Sequence, residues 1–483
     1  MRTERANIIL ITTDQQRGDC LGVDGHPVVQ TPNMDWLARS GVRFRRAYSE
    51  CPSCVPGRRT LMTGQAPARQ GMVGMTKAAW DPKHTLAGEF SRAGYQTEMI
   101  GKLAFSPYRK RYGFDHMELA DSTHEFRNGG KPANDYLTWL AARGEFDGVE
   151  PGVAHGVSPN GWVGRPSHLP EHLSHSYWLT NTALDFLDRR DPEAPFFLNL
   201  SYIDPHPPMT PPAFYYERYM AMDLPKPVVG DWAPRFDEPE RGLDINQWRI
   251  RIDDAPMKQA RAGYYGLINH VDNQLGRLIG QLRKQQLLKD TLILFTSDHG
   301  EMLGDHNMWR KTFPYEASAR IPFFIKPAEG MDLPGEVVSS APVGLQDVMP
   351  TLLEAAGLPI PETCTGRSVL PLAHGDSDGW REYIHGEHAG QYDYDDGMHY
   401  LTDGHQKYVW YSQTGREHLF DLDTDPDELH DLTLDASDDS ADLQRWRDRL
   451  VDTLRERPEG FVAEDRLVVG RPHEMFVPGM EPS

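Results

Sequence analysis

Cysteine is scarce in this chain, with four residues, at positions 20, 51, 54 and 364, among 483. That is too few for a disulfide framework in a protein of this length. Apolar runs of transmembrane length are missing, and Ile8-Ile9-Leu10-Ile11 near the start is too short for the apolar region of a signal peptide. Positive charge is in deficit: 50 Lys and Arg stand against 71 Asp and Glu, a formal net charge of -21. Nucleic acid and anionic membranes would be repelled at long range and are excluded as partners, whereas a small anion held in a locally basic pocket is not. Internal repeats and low-complexity tracts are also absent. The expectation is a soluble, cytoplasmic protein long enough for a large core and for two or more domains.

Against these absences stands the run CPSCVPGRRTLMTG. Its turn-forming residues interrupt the apolar periodicity and Leu61-Met62 resumes a helical pattern, so Cys54 is expected where a loop enters a helix. Backbone N–H groups at such a start favour a developing anion, and Arg58 adds a fixed positive charge about one turn on. A lone cysteine is more often a small buried hydrophobe, so the meaning of Cys54 depends on the rest of the chain.

A buried parallel-type strand is expected over Asn7 to Thr13, with further strands over Val42 to Tyr48, Thr97 to Ile100, Phe196 to Ser201, Thr291 to Thr296 and Pro322 to Ile325. Helices alternate with them: a short one through Leu37 and Ala38, one through Leu86 and Phe90, then Ser176 to Arg189, Pro256 to Gln286 and Val348 to Ala356. This alternation implies an α/β fold, a large mostly parallel sheet sandwiched by helices. Residues 106–174, with a helix near Tyr136 to Ala142, and the Pro-rich 205–245 are expected as lid or insertion loops, the second without regular structure. From 376 to 483 the composition is more polar, with hairpin-like strands around Tyr400, Lys407 to Tyr411 and His418 to Leu422 and a helix from Asp442 to Arg455. This reads as a smaller α+β domain after a catalytic domain at 1–375. The tail from Glu459 lacks helical period and is expected to dock on the body or on another subunit, so a homo-oligomer is expected.

Four strand ends carry ionisable residues: Asp14, Lys102, His206, and Asp298 with His299. In a parallel sheet such ends share one edge, where ligands bind, so these residues are expected to converge. Singly, each reads as a surface carboxylate, a cap or an ordinary cation. Together, Asp14, Asp298 and His299, with the amide oxygen of Gln15, make an oxygen-rich set suited to a hard divalent cation.

The run CVPGRRTLMTG resembles the C-x-P-x-R signature of the formylglycine-dependent sulfatases of the alkaline phosphatase superfamily. TTDQQRGDCLG, TPNMDWLARSGVRFRRAY, MIGKLAF, IDPHPP, SDHGEMLGDHNMWRKTFPYEASARIPFFI, DVMPTLLEAAGLPIPE and HLFDLDTDPDELHDL resemble further family segments in the family order. The resemblance implies that a formylglycine-generating or equivalent maturation enzyme oxidises Cys54 to formylglycine (3-oxoalanine), whose hydrate is the nucleophile. It implies a metal held by Asp14, Gln15, Asp298, His299 and the modified Cys54. Calcium is expected, with manganese or zinc as alternatives. Arg58, Lys102, His206 and Lys311 match positions that hold the modified residue or the sulfate group, His206 or Lys311 serving as the acid for the leaving oxygen. The substrate is expected to be a small organic, aryl or sugar sulfate.

Three departures from the family pattern stand out. Gln15 replaces a second aspartate, Gly57 replaces a small hydroxyl residue or alanine, and Ala104 replaces a sulfate-binding histidine two residues after Lys102. Three other readings compete. One keeps the site and makes the chain a phosphonate monoester or phosphodiester hydrolase. A second, prompted by Ala104, is a catalytically impaired sulfate-ester-binding protein. The third is a thiol or metal module built on Cys51-Pro52-Ser53-Cys54, which lacks the second C-x-x-C such modules carry. Trp80, Tyr108, Tyr392 and Tyr394 are candidates for a stacking wall, although ordinary packing accounts for each singly.

Overall fold

The computed structural model of the chain describes residues 5–121, 127–128, 131–132, 134–143, 157–158, 160–233, 244–434 and 440–481. Among them, eight strands form the main sheet: β1 (Asn7–Asp14), β2 (Val42–Phe44), β3 (Gln96–Gly101), β4 (His116–Leu119), β5 (Phe196–Pro205), β6 (Thr291–Ser297), β7 (Phe323–Lys326) and β8 (Val337–Ser339). Their spatial order is β8-β2-β7-β6-β1-β5-β3-β4. The five from β6 to β4 run parallel, and β7 enters antiparallel to both β6 and β2.

Strand side chains alternate between faces, and the apolar runs supply both. Ile9, Ile11, Leu198, Leu200, Ile293 and Phe295 pack against α2 (His175–Arg189) and α4 (Asp254–Lys284). Ile8, Leu10, Phe197, Leu292 and Leu294 pack with α1 (Cys54–Thr63) and α5 (Val348–Ala355). The sheet is therefore covered on both sides and β1 is buried throughout its length, as near-continuous runs of Ile and Leu require.

The second sheet is antiparallel, β9 (Ile384–His388), β10 (Met398–Thr402), β11 (Gln406–Tyr411) and β12 (Glu417–Asp421). One face packs Tyr408, Trp410 and Leu419 on Trp446 and Leu450 of α6 (Ala441–Leu454). The other packs Tyr400, Val409 and Phe420 on Tyr48, Trp232 and Tyr315, which belong to segments around the main sheet.

Three expectations change. The segment 205–245 contains regular structure: α3 (Ala213–Met220) begins directly after Pro212 and buries Tyr215, Tyr216 and Tyr219. Proline closes off strand and helix interiors but not the residue before a helix. Val42 to Tyr48 is two strands, since Ala47–Tyr48 leaves the main sheet to pair with Val343–Gly344. The segment 106–174 contributes β4 to the sheet edge and a helix over Asp135–Ala141, and parts of the two lid expectations, 122–126, 144–156 and 234–243 among them, lie outside the described residues. The tail docks on the body of its own chain, where Val73 N donates to Met475 O and Val477 N to Gly71 O, each at 3.0 Å. No helix among the described residues is long and apolar enough to cross a membrane.

Candidate active site

β1, β3, β5 and β6 are neighbouring parallel strands, so Asp14, Lys102, His206, Asp298 and His299 emerge at one edge. Cys54 is the first residue of α1, and its N-cap Ser53 is extended, with φ -158° and ψ 156°. Ser53 Oγ meets His388 Nε2 at 2.9 Å instead of capping the helix. That contact ties the helix start to the second sheet and leaves the first turn facing the strand ends.

The Cys54 thiol is 1% exposed. Its Sγ lies 3.0 Å from Lys311 Nζ, 3.3 Å from His299 Nε2 and 3.6 Å from Asp14 Oδ1. Lys102 Nζ pairs with Asp14 Oδ2. Arg58 donates through Nε to Asp298 Oδ2 at 2.8 Å and through Nη1 to Ser201 Oγ at 2.7 Å and Lys102 O at 2.8 Å. Lys311 Nζ reaches Gln15 Oε1 and His206 Nε2, each at 3.0 Å. His206 Nδ1 is 2.7 Å from Pro207 O and His299 Nδ1 is 2.9 Å from Gly300 O. A carbonyl can only accept, so both imidazoles carry a proton on Nδ1, and in the neutral ring Nε2 offers a lone pair to the site.

The site's charges act on one another at short range. Burial raises the Asp14 carboxyl, but Lys102, His206, Lys311 and Arg58 together hold it well below the usual range. Burial and Asp14 raise the Cys54 thiol, while Lys102, Lys311 and His299 bring it well below an ordinary thiol. His299 is lowered by burial and raised more by Asp298 and Cys54. The chain is strongly acidic overall, yet three cations gather here, Arg58 and Lys102 on two carboxylates and Lys311 on the Cys54 thiol.

The donor set fits a divalent cation. One ligand atom each of Asp14, Cys54, Asp298 and His299 lies within 4.8 Å of the others. Gln15 N donates to Asp298 Oδ1 at 3.1 Å and the Gln15 amide nitrogen donates to Glu301. Its carbonyl oxygen is thereby turned toward Lys311 and the site. Gln15 can serve as a neutral oxygen ligand where a second aspartate would have added charge.

All residues read from the sequence as site residues, except Ala104, therefore meet in one hydrogen-bonded cluster. Ala104 follows Lys102 in the same loop, half-buried, with φ 62°. Its N–H points to Asp121 Oδ2 at 3.4 Å, and Leu103 N donates to Asp121 Oδ1 at 3.0 Å. Asp121 was not singled out from the sequence. It lies just past the end of β4, so the strand-end argument would have found it had that strand been recognised. Burial raises its carboxyl to about 6 against the pull of Lys102 and Arg58. Ser201 and Glu301 were also missed, as both act through other residues. A cavity of about 10 Å³ lies behind the cluster, lined by Thr12, Arg58, Lys102, Asn199 and Asp298, room for about one water. The four cysteines are free, so Cys51 and Cys54 form no disulfide. Trp80 packs on Phe105 with centroids 4.5 Å apart and Tyr392 stacks on Trp248 at 5.5 Å.

Comparison with known proteins agrees with this geometry. The Sulfatase family model matches residues 6–358, and the N-sulphoglucosamine sulphohydrolase C-terminal model matches 304–456. The chain is 41% identical over 478 residues to an arylsulfatase of Clostridium perfringens, covering 97% of this chain and 98% of that protein. It is 32% identical over 518 residues to the multifunctional alkaline phosphatase superfamily protein PehA of Trinickia caryophylli, covering 95% and 99%. Among solved structures, the phosphonate monoester hydrolase of Agrobacterium radiobacter superposes with TM-score 0.77 at 26% identity, covering 97% of this chain and 100% of that one. With the signature cysteine at the start of a buried helix and the acidic and basic side chains gathered at one sheet edge, the chain belongs to the sulfatase family, the alkaline phosphatase-like hydrolases of sulfuric esters.

Proposed function

We propose that the chain hydrolyses a small organic, aryl or sugar sulfate through a formylglycine formed from Cys54, assisted by a divalent cation. The observation that carries this reading is the placement of Cys54 Sγ, 3.0 Å from Lys311, 3.3 Å from His299 and 3.6 Å from Asp14 at a helix start. Asp14, Gln15, Asp298 and His299 would hold the cation with an oxygen of the modified Cys54. Calcium suits the oxygens, and manganese or zinc suits the imidazole. The cation supplies charge stabilisation and makes a bound hydroxyl more acidic. A formylglycine hydrate at position 54 would supply the nucleophilic hydroxyl and a second hydroxyl through which sulfate could be released. Maturation requires an oxidising partner, the formylglycine-generating enzyme or an equivalent.

The chain's own residues do the rest. Arg58 is fixed by Asp298, Ser201 and the Lys102 carbonyl, so it orients the carboxylate and adds positive potential without moving. Lys102 and Lys311 are preset around the position where sulfate oxygens gather charge, which is the main contribution such a site makes. His206 Nε2 and Lys311 Nζ form one hydrogen-bonded pair at 3.0 Å. A proton passed to the departing alcohol from either atom can be shared by the other.

Mass analysis of the peptide containing Cys54, from protein made with the maturation enzyme, tests the modification. Replacement of the thiol by an aldehyde is expected, and an unmodified thiol in active protein would sink the proposal. A second reading, hydrolysis of phosphonate monoesters or phosphodiesters, is favoured by the full-length likeness to the phosphonate monoester hydrolase. Relative turnover of an aryl sulfate and an aryl phosphonate separates the two.

A further inference from the structure

Glu387, His399 and His473 form a second buried cluster away from Cys54. Glu387 on β9 and His399 on β10 are register partners across the antiparallel sheet, and His473 arrives from the C-terminal tail. The rings of His399 and His473 are stacked, with centroids 4.8 Å apart and planes 5° from parallel. Phe461 lies edge-on to both, and Trp410 stacks near His399. Aromatic packing accounts for the rings, but it leaves three polar atoms unexplained. Glu387 Oε1, His399 Nε2 and His473 Nε2 are buried with no hydrogen-bond partner among the described residues. Buried polar groups are nearly always partnered, and an orphan calls for an ion or a water.

The remaining polar atoms of these side chains are held in place. His473 Nδ1 meets Ser412 Oγ at 3.0 Å, His399 Nδ1 meets His385 Nε2 at 3.1 Å, and Arg457 Nη1 donates to Glu387 Oε2 at 2.7 Å. Metal-binding histidines characteristically have their second nitrogen fixed in this way. Arg457 is shared with Glu459 at 2.6 Å, so two carboxylates stand against one local cation and the cluster can accept positive charge. One ligand atom of each of the three side chains lies within 4.8 Å of the others.

We propose that Glu387, His399 and His473 form a structural site for a zinc-class divalent cation, which pins the C-terminal tail to the antiparallel sheet. Two imidazoles and one carboxylate suit zinc and its neighbours, whereas calcium takes more ligands and takes them from oxygen. The site would brace more than the tail. Beyond His473 the tail pairs with the 71–73 segment, since Val73 N donates to Met475 O at 3.0 Å, and Ala389 N donates to Val73 O at 2.7 Å. His388, the neighbour of Glu387, holds Ser53 in front of Cys54.

The test is metal analysis of the full chain, stripped with a chelator, re-equilibrated with zinc and desalted, for wild type, His473→Ala and Glu387→Gln. About one equivalent of zinc is expected to be lost in each variant relative to wild type, and zinc X-ray absorption of wild type should show a component with two imidazoles. Equal zinc content in all three proteins would overturn the proposal and leave water on the orphan atoms. If a variant does not fold, crystals of wild type soaked in zinc decide the matter at the zinc absorption edge. An anomalous peak between the three side chains supports the site, and a peak confined to Asp14 and His299 overturns it.

Discussion

The two buried clusters use the same residue types in opposite surroundings. Around Cys54 the carboxylate oxygens face cations: Lys102 holds Asp14 Oδ2, and Arg58 holds Asp298 Oδ2 at 2.8 Å. Around His399 the neighbours are aromatic rings, with Arg457 bound to the buried carboxylates Glu387 and Glu459. A cation placed in the first cluster would sit among fixed positive charges that only an anionic substrate can balance, which is the arrangement for turnover. In the second it would satisfy buried polar atoms that have no partner among the described residues, which is an arrangement for holding chain segments together.

Cys54→Ala should break this contrast most visibly. Loss of the nucleophile's precursor is expected to lower kcat/KM for an aryl sulfate by about 10⁴-fold or more, in line with other nucleophile deletions. The zinc bound at the second cluster should not change. A variant rate near that of wild type would remove Cys54 from the chemistry.

Lys311→Ala is the next largest, with an expected fall of about 10²- to 10⁴-fold, the range for a lost general acid. If the Lys311 and His206 pair protonates the leaving oxygen, the loss grows as the alcohol becomes a poorer leaving group. The same loss for good and poor leaving groups would instead make Lys311 a binder of sulfate charge.

Glu50 lies where the two regions meet: it accepts from Leu345 N at 2.9 Å and Gln346 N at 3.1 Å, and its carbonyl accepts from Glu387 N at 2.8 Å. Burial, with Asp347 nearby, raises its carboxyl from the ordinary 4.5 to about 7. Between those values the folded chain keeps a proton that the unfolded chain has released. Stability therefore falls as pH rises through that window and is level above it. Glu50→Gln should flatten the slope by up to about 1.4 kcal/mol per pH unit, measured by denaturant unfolding across the window. An unchanged slope would place the proton elsewhere.

The contrast also marks how far the sequence could be read. β1 and β6 are runs of Ile, Leu and Phe that end abruptly in Asp14 and Asp298, so hydrophobic pattern and chemistry pointed to the same edge. The signature around Cys54 then linked residues hundreds of positions apart. β9 reads IHGEH, with a central glycine and polar side chains that are buried only because the second sheet lies against the body and the tail. Its pairing partner and His473 are distant in sequence, and no local pattern brings the three together. β4 was missed for a related reason, being an edge strand with one buried residue in four, too little to show alternation.

The smallest expected effect is at Ala104, the position read from the sequence as departing from the sulfatase pattern. Ala104 has φ 62°, a conformation that costs an ordinary L-residue about 1–2 kcal/mol and in which histidine is several-fold enriched. A histidine at this position would therefore meet no more backbone strain than the alanine does. Ala104→His is expected to raise kcat for an aryl sulfate by about tenfold with less change in KM, a modest share of what acid–base catalysis can supply. If the missing step is the release of sulfate, wild type should show a burst of alcohol before its steady state, and the variant should lose it. Unchanged or lower turnover, with no burst in either protein, would mean that another group already performs the proton transfer. Asp121 would then be the next residue to substitute, since its carboxyl is raised to about 6 by burial and it holds the backbone of Leu103 and Ala104.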